Sequence, residues 1–510
     1  MQVNILEYLE KGAARNCPGK VAIVDGAREY TFAELEDYSK RCATLLISRA
    51  DVINQPIAVF LPKSAATIFA NLGIVYSGNI YANLDVKSPP LRIKGVLDLV
   101  NPALIVTSRA LEQQLLALGV ASELLFLIDD IFDGGIATDS TRLWQRLERV
   151  IDTDPLTIIH TSGSTGIPKG VVLSHRATID FMDWCFDRLK LSGDERIGSL
   201  SPFYFDIYTL ELHLSIAKGA TMVLIPDQLP VFPARLMQFL ADQAISFIFW
   251  VPSILVNISS QGLLEQFPLP ALNTVFFAGE VFPMKHLNCW RRAVPQASFV
   301  NLYGPIEITV DCTWFPVDRE FADDDMLPIG FPCRNTDILI LNERDQLCQP
   351  GERGELCVRG TSLAMGYWNN PEKTAAAFVQ NPLNKHYPDT IYRTGDVVYR
   401  NERGEIMLVG RKDFQIKHLG YRIELPEIEY QVLRIEGIAN ACVLYNREKK
   451  EITLFYEPAR EDLTPAVIRR ELSSIFPKYM LPTAFHALRE LPRNPNGKID
   501  RNGLSSTLVA

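Results

Sequence analysis

The chain has no Cys-x-x-Cys pair, no block of basic residues, no low-complexity tract and no internal repeat. Its nine cysteines lie singly between Cys17 and Cys442. That dispersed, odd-numbered set offers neither a zinc site nor a disulfide framework, and it points to reduced thiols in a cytoplasmic compartment. Lys and Arg number 51 against 60 Asp and Glu, a net charge of −9. With no basic block, the sequence argues against a nucleic-acid partner held through its phosphates. The opening stretch "MQVNILEYLEKG" reaches Glu7 too early for a signal peptide. The uncharged segment Gln243–Leu264, "QAISFIFWVPSILVNISSQGLL", is long enough to invite a membrane reading, but Pro252, Asn257 and its polar end break it up. It reads as a buried strand entering a loop and helix, so no membrane span is expected.

What is present is an ordinary globular composition, with 47% apolar and 22% charged residues. A length of 510 residues exceeds one hydrophobic core and implies two or three domains. Short apolar runs such as "PIAVFL", "ALIVTS", "LLFLID", "ATMVLIP", "SFIFWV", "NTVFFAG" and "SFVNLYG" alternate with helix-period segments. Most are continuous rather than alternating, as expected of parallel strands covered on both faces by helices. Such sheets bind ligands at the carboxyl ends of their strands. The loops "TSGSTG", "FFAGE" and "NLYGPIE" all follow strands of this kind, which implies one shared site.

The loop after Leu156–His160 poses the sharpest question. Thr161, Ser162, Gly163, Ser164, Thr165 and Gly166 bring hydroxyls and backbone N–H groups but almost no apolar area, and Lys169 adds one cation. That chemistry suits phosphates. It is not the P-loop of NTPases: Pro168 stands where the second Gly belongs, and Gly170 replaces the metal-binding hydroxyl. Proline has no N–H to offer a phosphate. A mobile flap closing over the phosphates is the expected alternative.

Near residue 410 the character changes to a charged stretch followed by an antiparallel-looking pair, "NACVLYN" and "EITLFYE", turned at Arg447–Lys450. A helix at about Pro465–Phe476 and a final strand complete a small α+β unit. The expected architecture is a large α/β body of mostly parallel sheets over 1–410 and a small mobile α+β lid over 411–510.

Eight segments occur in order: "YTFAEL", "TSGSTGIPKG", "YFDIYTLEL", "NLYGPIE", "GELCVRGTSLAMGYWNNPEKT", "YRTGD", "GRKDFQIKHLGYRIEL" and "NPNGKIDR". Together they resemble the adenylate-forming superfamily, and within it the amino-acid adenylation domains and the D-alanine–carrier protein ligases. The resemblance implies the adenylate-forming enzyme fold. It also implies a two-step reaction, in which a carboxylate attacks the α-phosphate of ATP, releasing pyrophosphate, and the acyl group then passes to a thiol.

The same resemblance assigns residues. Lys498 bridges carboxylate and α-phosphate, where a cation must offset the repulsion of two anions. Lys169, Thr161, Ser162, Gly163, Ser164, Thr165 and Gly166 hold the phosphates, and Glu307 holds Mg²⁺ against them. Asp396 accepts the ribose hydroxyls, with Arg411 beside it. Tyr303 stacks on adenine among Asn301, Leu302 and Gly304. Asp413 is the hinge of the small domain, and Gly420 lines the thiol tunnel. One departure is Ile306 in "YGPIE", where the family carries Thr, which removes a hydroxyl expected near the α-phosphate.

Asp206 matches the aspartate that pairs with a substrate α-ammonium, since a carboxylate in an apolar pocket is costly unless paired. The competing reading is a helix N-cap. The remaining pocket positions are Ile207, Leu210, Phe249, Phe276, Ala278, Leu302, Val310 and Asp311. This bulky apolar wall implies a compact amino acid, proline or alanine, selected by exclusion. Asp311 is the odd member, either behind the wall or reading a second amine. Nine residues follow "NPNGKIDR", so the acceptor is expected to be a separate phosphopantetheinylated carrier protein. A coenzyme A ligase, a cell-wall D-alanine ligase and a non-catalytic nucleotide sensor are the alternatives.

Overall fold

The computed structural model describes residues 2–133, 135–161, 168–189, 191–460, 463–493, 499–506 and 508. Its contacts divide the chain into two compact units, one comprising Met1–Leu84, Val100–Ile159 and Gly170–Lys412, the other Asp85–Leu99, His160–Lys169 and Asp413–Ala510.

In the first unit the largest sheet has nine strands. Its centre is parallel: Arg196–Ser199, Thr221–Leu224, Phe247–Trp250, Thr274–Phe277 and Ser298–Tyr303. Apart from Arg196–Ser199 these are mostly apolar runs with buried interiors, as the sequence indicated. The register sets Phe249 beside Phe276 and Phe276 beside Val300. Because side chains alternate along a strand, Ala278 and Leu302, two positions on, continue the same face. That face belongs to a core with Ile207 and Leu210 of the helix Ile207–Lys218. Trp250, Phe277 and Phe299 point the other way into a second core. The segment Gln243–Leu264 resolves into the strand Phe247–Trp250 and the helix Pro252–Ser260. No helix among the described residues is long and apolar enough to cross a membrane.

A seven-stranded sheet contains Pro155–Thr161 and Lys169–Ser174, the strands on either side of the hydroxyl-rich loop, with Gly366–Tyr367 at its edge. A five-stranded antiparallel sheet is built from Thr336–Leu341, Gly354–Gly360, Phe378–Gln380, Thr390–Arg400 and Ile406–Arg411. Its register pairs Asp396 with Arg411.

In the second unit, Gln415–His418 and Tyr421–Glu424 form a hairpin. Its two turn residues, Leu419 and Gly420, have φ of 53° and 82°. Positive φ at both central positions is the conformation whose twist matches the flanking strands. The pair Ile438–Asn446 and Glu451–Pro458 is antiparallel, Ala484–Ala487 joins it in parallel, and the helices Leu425–Val432 and Pro465–Ser473 belong to the same unit.

Candidate active site

The strand Ser298–Tyr303 ends in Gly304, where an added Cβ would lie 2.5 Å from the Asp311 Cα. Only glycine permits that approach. The chain then makes a short 3₁₀ turn at Ile306–Ile308, and Cys312 N–H returns to donate to the Tyr303 carbonyl at 2.8 Å. Thr309 and Val310 have φ of 53° and 64°. Left-handed backbone at two β-branched residues costs about 1–3 kcal/mol each and persists only where the surroundings enforce it. This excursion carries Glu307, Val310 and Asp311.

Glu307 is fully buried, and one of its carboxylate oxygens accepts a hydrogen bond from the Tyr367 hydroxyl at 2.8 Å. Ala364 N–H donates to its carbonyl at 2.9 Å. Among the described residues no group of three or more His, Cys, Asp or Glu is placed to hold a metal ion. A single buried carboxylate fits a hard divalent cation that receives its other oxygen ligands from bound phosphates and water.

Asp396 lies beside its register partner. Arg411 donates to one carboxylate oxygen at 2.9 Å and to the Thr394 carbonyl at 3.0 Å. The buried Tyr303 hydroxyl donates to the other oxygen of Asp396. Burial, reinforced by the Asp396 charge, pushes the Tyr303 phenol well above its usual pKa, so it stays a donor. A carboxylate has about four acceptor sites, so this pairing leaves capacity for two further donors, as a vicinal diol would supply. Asn301 is buried one row back on the same strand face, its amide donating to the Pro328 carbonyl at 2.8 Å.

Alternation along Ser298–Tyr303 therefore sorts two chemistries. Asn301 and Tyr303 point to the polar side, while Val300 and Leu302 point to the apolar core. Ile207, Leu210, Phe249, Phe276, Ala278, Leu302 and Val310 are all buried members of that one core. The Phe249 and Phe276 rings meet edge to face, centroids 6.2 Å apart. Asp206 immediately precedes the helix Ile207–Lys218 but makes no capping hydrogen bond with its side chain, so the N-cap alternative is not realised. Asp311 is buried, and its carbonyl lies 3.9 Å from the Cys333 sulfur; burial raises the thiol pKa of Cys185 and Cys333, and the Asp311 charge adds to it.

In the second unit, Lys169 lies 3.8 Å from a Glu424 carboxylate oxygen, which also accepts from the Gln415 amide at 2.5 Å. Asp413 accepts from the Gln415 N–H at 3.2 Å in a local turn. Thr161 ends its strand with a buried hydroxyl that has no hydrogen-bond partner among the described residues. Ser162, Gly163, Ser164, Thr165, Gly166 and Lys498 lie outside the described residues. Sequence reasoning gave Tyr367 no role. It stands inside the quoted "GELCVRGTSLAMGYWNNPEKT" segment, but its contact with Glu307 spans 60 residues and has no local signal.

This arrangement is that of an adenylate-forming enzyme. A profile of the family "AMP-binding enzyme" matches residues 9–368, and the chain belongs to that family and to the adenylate-forming superfamily. Tyrocidine synthase 3 of Brevibacillus parabrevis is 32% identical over 98% of this chain, which spans 8% of that protein. Several other curated relatives are also much longer, the chain spanning 6% to 44% of them. Zwittermicin A synthase ZmaJ of Bacillus cereus is 28% identical, the match covering 99% of this chain and 95% of that one. The crystal structure of IdnL1 superposes with a TM-score of 0.80 at 27% identity, covering 96% of this chain and 99% of that one.

Proposed function

We propose that this protein uses ATP to activate a small amino acid, with proline or alanine favoured, as its aminoacyl adenylate. The amino-acid carboxylate attacks the α-phosphate and pyrophosphate leaves. The thiol of a phosphopantetheine arm on a separate carrier protein then attacks the acyl carbon, AMP leaves, and the thiol proton passes to solvent. The observation that carries the amino-acid reading is Asp206. It immediately precedes Ile207, a member of the buried apolar wall, and a carboxylate beside such a wall suits a substrate ammonium.

The other roles are those that the family resemblance implies. Asp396, held by Arg411 and Tyr303, accepts the ribose hydroxyls, and Asn301, Leu302 and Gly304 flank the base. Lys169 and the hydroxyls of Thr161–Thr165 bind the phosphates, and Lys498 draws carboxylate and α-phosphate together. Glu307 holds Mg²⁺, which supplies charge neutralisation to the phosphates when bound. Residues 411–510 act as a mobile lid hinged at Asp413, with Gly420 beside the path of the thiol arm.

The test is pyrophosphate exchange across a panel of amino acids, followed by loading of carrier or coenzyme A. Proline or alanine should drive exchange best. Lys498→Ala should lower exchange by about 10²–10³-fold, the loss expected of one electrostatic stabiliser, while transfer from a pre-made adenylate continues. Exchange driven by benzoate or a fatty acid would refute the amino-acid assignment, and loading of coenzyme A in preference to carrier would refute the acceptor.

A further inference from the structure

We propose that Tyr367 is a positioning residue for the metal-binding carboxylate: its hydroxyl fixes Glu307 in the orientation that receives the divalent cation accompanying ATP. The proposal rests on the reading of Glu307 given above and adds a residue to it.

Glu307 is gripped twice by one short segment. Ala364 N–H holds its backbone carbonyl at 2.9 Å, and the Tyr367 hydroxyl holds its carboxylate at 2.8 Å. The gripping segment is itself tied to the strand Lys169–Ser174. Gly366 and Tyr367 pair with Val172 and Val171, and Met365 and Trp368 N–H groups donate to the Val172 and Gly170 carbonyls at 2.9 and 2.7 Å. Gly366 has φ of 122°, and a Cβ there would stand 2.5 Å from the Thr374 methyl, so this close path requires glycine. Tyr367 N–H is taken by the Thr374 hydroxyl at 2.9 Å, and its buried ring meets Phe378 edge to face at 5.9 Å. The phenol oxygen is thus delivered from a rigid edge strand.

The carboxylate it meets needs that rigidity. Glu307 sits within an excursion whose Thr309 and Val310 are in left-handed backbone, a conformation that holds only when outside contacts enforce it. A buried carboxylate is also costly unless hydrogen bonded, and a phenol donor supports its charged form while fixing its plane. Partners of this kind behind a metal-binding group are worth about 10–100-fold in metal affinity.

Tyr367→Phe keeps the ring against Phe378 and deletes only the hydroxyl. Calorimetry with α,β-methylene-ATP, with and without Mg²⁺, and with AMP alone, separates metal-dependent from metal-independent binding. The expected result is AMP affinity and melting temperature close to wild type, with the Mg²⁺-dependent gain in analogue affinity cut about tenfold or more. In pyrophosphate exchange the half-saturating Mg²⁺ concentration should rise correspondingly, while KM for the amino acid stays unchanged. Glu307→Gln is the reference. If Glu307→Gln weakens the Mg²⁺ gain and Tyr367→Phe does not, the positioning role is overturned while Glu307 keeps its own. If neither variant alters it, the Glu307 reading itself is overturned. Equal weakening of AMP and analogue in Tyr367→Phe, with a lowered melting temperature, would assign the hydroxyl to the fold and also overturn the proposal.

Discussion

The two faces of the strand Ser298–Tyr303 are built by opposite means. On one face Val300 and Leu302 join Phe249, Phe276 and Ala278 in one apolar core. On the other, Asn301 and Tyr303 each have a named hydrogen-bond partner, and Tyr303 and Arg411 divide Asp396 between them. On the function proposed above, the apolar face would select by shape, with a discrimination per methylene of only about 1–3 kcal/mol. The polar face would select by bonds, and losing one partner strands another buried polar group. One strand therefore carries an adaptable half and an unforgiving half, set apart by alternation alone.

The largest expected effect comes from Asp206, the polar group bordering the apolar wall. Asp206→Ala should abolish amino-acid-dependent exchange, because the substrate ammonium would be buried without its partner at a cost of about 3–5 kcal/mol. Amine-free acids should gain relative to amino acids. Exchange that persists with alanine and proline at wild-type KM would place the ammonium elsewhere.

Next in size is Asp396→Asn on the polar face. The neutral amide loses a charge-assisted bond to Arg411 and presents an N–H₂ toward existing donors. AMP binding should weaken by about 1.5–3 kcal/mol, the range for hydrogen bonds to charged groups, with amino-acid selectivity unaltered. Titration calorimetry with AMP checks it, and an altered amino-acid preference would break the separation of the two faces.

A smaller change is expected from Phe249→Leu in the wall. Its cost to stability should stay within about 1.5 kcal/mol, as for similar-sized apolar exchanges. Exchange with leucine or valine should rise relative to alanine by up to about 10–200-fold, leaving AMP affinity constant. An unchanged substrate panel would remove Phe249 from the pocket.

These contrasts were unequally legible in the sequence. Buried parallel strands announce themselves as continuous runs, so "SFIFWV" became Phe247–Trp250 and "NTVFFAG" became Thr274–Phe277. The five-stranded antiparallel sheet left no such trace. Its register shifts between Glu355 and Cys357 and between Val397 and Val398 interrupt the alternation that would have marked it. The Asp396–Arg411 pair lies 15 residues apart, within reach of a motif. Tyr303 meets Asp396 across 93 residues and Tyr367 meets Glu307 across 60, and only the folded sheets bring them together. Sequence suggested that Tyr303 stacks on adenine, whereas the structure adds that its hydroxyl is committed to Asp396.

The smallest effect on turnover, and the closest test of the apolar side, concerns a carboxyl buried on the helix that bears Ile207 and Leu210. Glu211 lies on the helix Ile207–Lys218, fully buried, accepting from the Ser199 hydroxyl at 2.6 Å. Burial pushes its pKa up to about 8, against the opposing pull of the Ser199 hydrogen bond and the Lys63 charge, so at neutral pH it is mainly the uncharged acid. A carboxyl whose folded pKa exceeds its unfolded value contributes stability that is complete below the unfolded pKa and lost as pH rises through the folded one. Wild type should therefore lose a few kcal/mol relative to Glu211→Gln between about pH 4.5 and pH 8. His160 and His213, pushed down to about 4 by burial, and His175, pushed down to about 3 by burial, act in the opposite sense as pH falls. They are common to both proteins and cancel in the difference. Denaturant unfolding of the pair from pH 5 to pH 9 should give an advantage for the glutamine variant that grows from the acid end to about pH 8 and levels off above it, with exchange rates at pH 7 within about twofold. Parallel curves across that range would mean that Glu211 is ionised in the fold, and that the apolar side tolerates a charge as readily as the polar one.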